Sequence, residues 1–186
     1  MHGAVIVVDM LEDPLSEEHS YPIASHGRAI IPTINRLTAA ARARAWPVIF
    51  ACDSFLPDDF IFGGKMKPHS LRGSPGAQPV AELTREPVDE VLPKRRFSAF
   101  FKTDLDQTLR TQGVDTVAVC GISTHFCVIT TALDAVCHDF HTVIVEDGTA
   151  AYSPEIHAQT LDLYRRNPLY PLLRVMPADQ VFAPPA

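Results

Sequence analysis

The chain has 186 residues, 46 % of them hydrophobic and 20 % charged, an ordinary globular composition that allows a sizeable core and argues against a disordered chain. Its net charge is −6, and its densest basic cluster, Lys94-Arg95-Arg96, is too short for a nucleic-acid or membrane-surface footprint, so we expect neither as a partner. No apolar run has the length of a membrane span, and four cysteines without CxxC spacing, in a chain without a signal peptide, read as reduced thiols of a cytoplasmic protein.

The run 4–9 opens the chain as a strand: four consecutive apolar residues, Val5-Ile6-Val7-Val8, lead into Asp9. A helix is expected over 27–45, with Trp46 beyond it as a structural residue before a second strand at 47–52. Residues 54–76 follow neither period; three prolines and four glycines break the segment, which we read as a lid or pocket-wall insertion. A weaker strand run lies at 88–92, just before Lys94, and Thr103-Asp104 starts a helix over 103–112 that Gly113 should stop. The remaining elements are strands at 115–122, 142–147 and 172–176, with helices at 124–138 and, opened by Ser153-Pro154, at 154–167. Short, fully apolar, β-branched runs are those buried on both faces of a parallel sheet. Their alternation with helices predicts a three-layer αβα domain with right-handed crossovers. There is no repeat and no linker, so residues 1–186 read as one domain.

In open α/β sheets ligands gather beyond the carboxyl ends of the strands. Asp9, Lys94 and Cys127 all fall there, the last in Gly121-Ile122-Ser123-Thr124-His125-Phe126-Cys127. If Ser123 or Thr124 caps the following helix, Cys127 stands in its first turn, at the positive end of the helix dipole. A free thiol of pKa about 8.5 is only about 3 % ionised at neutral pH. A carboxylate can take its proton, a lysine can hold that carboxylate, and backbone N–H groups can receive an oxyanion. Each residue also has a plainer reading: Cys as small core filler, Asp as a turn former, Lys as a solvated charge. Cys52, Cys120 and Cys137 are assigned that plainer role. His125, two residues from the cysteine, would point away from it on a helix and reads as a pocket wall.

The segments Val7-Val8-Asp9-Met10, Lys94-Arg95-Arg96-Phe97-Ser98-Ala99-Phe100, Gly121 to Val128, Thr130 to Ala135 and Val145-Glu146-Asp147 resemble, in order, the signature regions of the isochorismatase-like cysteine hydrolases. The resemblance spans nearly the whole chain. It implies six parallel strands, a catalytic triad of Asp9, Lys94 and Cys127, and a cis peptide between Ile122 and Ser123. It also implies an oxyanion hole made by the N–H groups of Ser123 and Cys127, and a homo-oligomer. The activity implied is hydrolysis of a small-molecule amide or ureide through a thioester on Cys127. An isochorismatase-type vinyl-ether hydrolase and a non-catalytic binding or assembly subunit are the alternatives, and retention of Cys127 favours the amidase.

The chain departs from the nicotinamidase branch of that family at two places. Where an Asp-x-His metal pair and a later histidine are usual, it has Asp53-Ser54-Phe55 and His69, leaving Asp53 and His69 as two ligands of three. Zinc or iron usually takes three or more protein ligands, so we expect that no cofactor is required, with His69 bonding the lid backbone. Asp58 or Asp59 could stand in for the missing ligand of such a divalent metal, though nothing in the sequence demands it. Met66 stands three residues before His69, where that branch has a ring-stacking tryptophan. Phe55, Met66, Phe97, Phe100 and His125 are the expected pocket residues, Phe60 and Phe62 being further candidates, with about two of the five phenylalanines touching substrate. Arg95 and Arg96 are candidates for holding a substrate carboxylate.

Overall fold

The computed structural model describes residues 2–18 and 21–183. Six strands, β1 (Gly3–Val8), β2 (Val48–Asp53), β3 (Glu90–Lys94), β4 (Thr116–Ile122), β5 (His141–Ala150) and β6 (Leu173–Met176), form one parallel sheet in the order β3-β2-β1-β4-β5-β6. The strand order reverses between β1 and β4, and a crevice opens at such a point beyond the carboxyl ends of the strands.

Every residue of β1, β2 and β4 is buried, as a sheet covered on both faces requires. Side chains alternate between two cores. Val5, Val7, Val48, Phe50, Ala118 and Cys120 pack against α1 (Ile23–Ala29) and α2 (Ile31–Arg42). Ala4, Ile6, Val8, Ile49, Val117 and Val119 pack against α3 (Leu105–Thr111), α4 (Ile129–Cys137) and α5 (Pro154–Arg165). Cys52 and Cys120 lie in the first core, as their plain reading has it, and Trp46 packs there edge-on to Phe182 at 5.0 Å. The weak third run is explained by position. β3 is an edge strand, buries only Leu92 and Lys94, and tolerates Pro93 because an edge can spare an N–H.

Three elements differ from the sequence reading. The helix expected over 27–45 begins earlier, at Ile23, and breaks at Ile30. Pro32 has no N–H and its ring would strike the carbonyl of residue 28, so one continuous helix is excluded. β5 does not end at residue 147. After Ile144 pairs with Val119, the register jumps so that Thr149 faces Gly121, and residues Val145–Gly148 bulge out between. The third difference lies around Cys127 and is taken up with the site. Two other expected helix signals hold: Ser153 Oγ accepts from the Ile156 N–H at 3.3 Å, and Gly113, at φ +70°, closes α3 with Val114 N–H donating to the Leu109 carbonyl at 2.9 Å. Thr103 is not the cap of α3: Asp104 stands at that position without a side-chain cap bond, and Leu105 N–H reaches Thr103 Oγ1 at 3.4 Å.

Residues 54–76 have no long element but are tied down at many points. Phe55 bridges Leu71, Ser70 N–H donates to Asp13 Oδ2 at 2.6 Å, and Arg72 Nε donates to Ser54 Oγ at 3.2 Å. Gly76 abuts Asp13 so closely that a Cβ there would lie 2.0 Å from its carboxylate.

Gly121 joins β1 to β4 at the crevice. Its φ is +105°, and a Cβ would lie 2.1 Å from the Val8 carbonyl oxygen. Gly121→Ala must therefore push two central strands apart. We expect a loss of about 3 kcal/mol or more in urea unfolding; a loss below about 1 kcal/mol would show that this contact is not tight.

Candidate active site

The carboxyl ends of β1, β2 and β3 each deliver one charged side chain. Asp9 follows β1 directly, with φ +52°, and Asp53 and Lys94 end β2 and β3 as register partners. Neighbouring strands lie about 4.8 Å apart, so the three side chains converge. Lys94 is 1 % exposed. Its Nζ donates to Asp9 Oδ2 at 2.8 Å, to Asp53 Oδ1 at 2.5 Å and to the Arg96 carbonyl at 3.2 Å. The other Asp9 oxygen accepts the Asp53 N–H at 2.9 Å. All three donors of the ammonium and both oxygens of Asp9 are thereby engaged.

Cys127 arrives from β4. The chain leaves that strand through a cis Ile122–Ser123 bond and enters one π-type turn, Thr124–Val128, before α4 begins at Ile129. Cys127 thus sits in a wide turn and not in the first turn of an α-helix, and Ser123 makes no side-chain cap. The Ser123 carbonyl, which an α-helix would give to the Cys127 N–H, accepts instead from Phe126 at 3.0 Å and Val128 at 3.3 Å. Such turns interrupt helices at functional sites. The turn is held from behind by the buried Thr124, whose Oγ1 bonds His157 Nδ1 of α5 at 2.9 Å.

The Cys127 sulfur and the Asp9 and Asp53 carboxylates lie within 4.8 Å of one another. Burial holds the thiol well above its usual range; the Lys94 charge pulls it down, while Asp9 and Asp53, together with the hydrogen bond to Asp9, add to the rise. The resting group is a neutral thiol beside a carboxylate. Lys94 is desolvated, yet the two carboxylates outweigh that and keep its ammonium firmly protonated. Burial, and then the Asp9 charge, push the Asp53 carboxyl up to about 7, against the pull of Lys94.

Above this cluster is a cavity of ≈ 510 Å³, the size of a small-molecule site. Asp9, Asp53, Ser123 and Cys127 reach it, with Phe55, Met66, Phe97 and His69 from the expected set. Of the five candidate phenylalanines, Phe55 and Phe97 line it. Phe100 does not; it is buried in the core against α3, α4 and α5, stacked on His138 at 5.1 Å. His125 is also absent from the wall, its ring packed on Phe126 and Tyr152. Phe60 is 88 % exposed, and Phe62 packs on Phe55 and His69. Arg95 and Arg96 are not available to a substrate carboxylate: both reach Asp59, whose carboxyl they hold well below the usual range. Asp59 also accepts the Leu56 N–H at 2.8 Å, so it anchors the 54–76 segment and is spent as a metal ligand.

Asp53 and His69 both line the cavity, but each has a partner: Asp53 has Lys94, and His69 Nδ1 lies 2.9 Å from the Lys67 carbonyl with its ring edge-packed on both Phe55 and Phe62. Sequence reasoning missed the bond from Asp53 to Lys94, although Asp53 ends a strand as Asp9 does. It also missed Pro14, Tyr21, Pro22, Phe126 and Tyr152, loop and turn residues with no local signal, and Ile23 at the start of α1, whereas Lys65 and Lys67 lie in the 54–76 segment expected to form a wall.

A family model of the isochorismatase domain matches residues 3–174. The chain is 34 % identical over 171 residues to a protein of Arabidopsis thaliana described as a probable inactive nicotinamidase, covering 86 % of this chain and 87 % of that one. It is 32 % identical over 181 residues to the ureidoacrylate amidohydrolase of Pseudomonas syringae pv. syringae (strain B728a), covering 84 % and 74 %. Among solved structures, an isochorismatase-like hydrolase from Alkaliphilus metalliredigens superposes with TM-score 0.85 at 29 % identity, covering 97 % of each chain. The pyrazinamidase of Pyrococcus horikoshii, in complex with zinc, superposes with TM-score 0.80 at 26 % identity, covering 95 % and 99 %.

The Asp53 environment predicts a pH dependence. In the unfolded chain Asp53 ionises near pH 4; in the folded chain it keeps its proton to about 7. The folded state therefore binds the extra proton between those values, and that contribution to stability is lost as the pH rises through them. Asp53→Asn removes it. Urea unfolding at about pH 5 and about pH 7.5 should show the gap between variant and parent moving in the variant's favour at the higher pH. A gap that does not change with pH would refute the raised carboxyl.

Proposed function

The chain belongs to the isochorismatase family, and we propose that it is a cysteine-dependent hydrolase that cleaves the C–N bond of a small amide or ureide. The observation that carries this reading is the Cys127 thiol beside a carboxylate that a buried lysine holds in place. Burying three ionisable side chains around one thiol costs several kcal/mol for each ion before pairing returns it. A subunit that only bound a partner would gain nothing from that expense.

In this reading Cys127 hands its proton to Asp9 as the sulfur attacks the carbonyl carbon. The charge that develops on the carbonyl oxygen is received by the N–H groups of Ser123 and Cys127. Asp9, now protonated, gives the proton to the leaving nitrogen, and the C–N bond breaks to leave a thioester on Cys127 and an amine, or ammonia from a primary amide. A water that loses its proton to Asp9 then hydrolyses the thioester and restores the thiol. Lys94 donates to Asp9 and holds its carboxyl group in place, with Asp53 as a second acceptor of the same ammonium.

The reading includes no resident metal. A metal at the three clustered donors would consume the nucleophile and displace the Lys94 ammonium from two carboxylates. His69 does not stand with them; its ring is packed against Phe55 and Phe62. Residues 54–76 serve as the pocket wall, and a thiol chemistry of this kind suits the reducing cytoplasm.

Ammonia release over a panel of small amides and ureides, with Cys127→Ala in parallel, tests the proposal. Turnover of at least one compound is expected, falling roughly 10⁴-fold or more in the variant. Turnover that survives the substitution would rule out a cysteine nucleophile.

A further inference from the structure

We propose that the Tyr152 hydroxyl, backed by the Ser123 hydroxyl, is a side-chain donor to the oxygen of the carbonyl that Cys127 attacks; this rests on the hydrolase reading above and adds a residue to it. Tyr152 stands two residues beyond Ala150, where β5 ends, and one residue before Ser153, which caps α5. It is therefore carried on a corner between two regular elements, at the carboxyl end of the strand beside β4. Asp9, Asp53 and Lys94 reach the crevice from β1, β2 and β3, on one side of Cys127, whereas Tyr152 reaches it from β5, on the other. Tyr152 and Ser123 both line the cavity with Cys127.

The strand order decides which part of a substrate meets Tyr152. The leaving nitrogen has to face Asp9, which supplies its proton, so it lies toward β1. The carbonyl oxygen then points the opposite way, toward Ser123 and the corner after β5. Ser123 Oγ is buried there and makes no hydrogen bond of ordinary geometry. A buried hydroxyl in that state calls for a physical reason. Its neighbour is the Tyr152 phenol: burial, and then the charge of Cys127, raise the phenol above its usual range, and the Ser123 side chain draws it partly back. A phenol carries one proton and can accept another. With the Ser123 O–H turned to the Tyr152 oxygen, the phenol proton is free for the substrate, and the first bond polarises the second. The phenol also keeps that proton beside a thiolate, as a donor to an oxyanion must. His125 braces the ring edge-on at 4.8 Å, and burial lowers the histidine's own pKa, so a neutral group does the bracing.

The test compares two reactions of Cys127, one that passes through an oxyanion and one that does not. p-Nitrophenyl acetate acylates the thiol: the S–C bond forms, the ester C–O bond breaks, and the thiol proton leaves with p-nitrophenol. Iodoacetamide alkylates the same sulfur by displacing iodide, without addition to a carbonyl. Both rates are scored on the Cys127 peptide by mass spectrometry, so that the exposed Cys137 does not count. Tyr152→Phe removes the hydroxyl and keeps the ring. Its acylation rate should fall on the order of 10²-fold, as for the loss of one oxyanion donor, with alkylation within about twofold of the parent. Ser123→Ala should slow acylation on the order of tenfold in the parent and no further in the Tyr152→Phe protein, because it acts through the phenol. An acylation rate unchanged in Tyr152→Phe would overturn the proposal, and so would an equal loss of acylation and alkylation, which marks a structural role. Losses that add in full in the double variant would overturn the part given to Ser123. Amide turnover that Cys127→Ala abolishes and Tyr152→Phe leaves intact would defeat the donor and spare the hydrolase reading. Tyrosine-dependent acylation in a parent that turns over no amide would do the reverse, and a parent alkylated but never acylated would defeat both.

Discussion

The Lys94 ammonium, buried between Asp9 and Asp53, is the interaction on which the rest of the site depends. Removing an ammonium from water costs several kcal/mol even after relaxation, and only close, well-directed acceptors return it. Here two carboxylates and one carbonyl take its three protons. This arrangement requires three adjacent parallel strands to end in register, which they do: Val8 pairs with Ala51, and Asp53 with Lys94. The hydrophobic runs of β1 and β2 thus stabilise the domain and also place two anions around one cation.

The same sheet brings the nucleophile from its other half. Strand order reverses between β1 and β4, so the turn after β4 enters the crevice opposite Asp9. Two local departures from regular structure make the approach close. Gly121 lets β4 lie against the Val8 backbone, and the π-type turn carries Cys127 with its N–H released from the helical ladder. Thr124 and His157 tie that turn to α5, so the third layer of the domain supports the site from behind.

The segment over the crevice is best understood as a wall built by polar anchors. Asp13 holds Ser70, Asp59 holds Arg95 and Arg96, and the rings of Phe55, Phe62 and His69 pack together. Apolar burial could not order residues 60–67 alone, since most of them are exposed. Hydrogen bonds from the flanks do so instead, which leaves Lys65, Met66 and Lys67 at the cavity. The cavity walls come from this segment, from the loop after β1 and from the turn after β4, so its shape belongs to no single stretch of chain.

Much of this was determined by the sequence alone. Period and composition mark six strands and the helices between them, because a strand buried on both faces must be apolar throughout. Strand-end position then singles out Asp9, Lys94 and Cys127, since ligands collect at the carboxyl ends of a parallel sheet. What only the tertiary structure decided concerns partners far apart in the chain. Asp53 belongs with Lys94, 41 residues away. Arg95 and Arg96 answer Asp59, and Phe100 turns into the core while Tyr21 and Tyr152 reach the cavity. A side chain's propensity is local, but its burial and its ion partner depend on which distant segment folds against it. The physical reason is that desolvation and Coulomb attraction act through space, and distance along the chain does not record them.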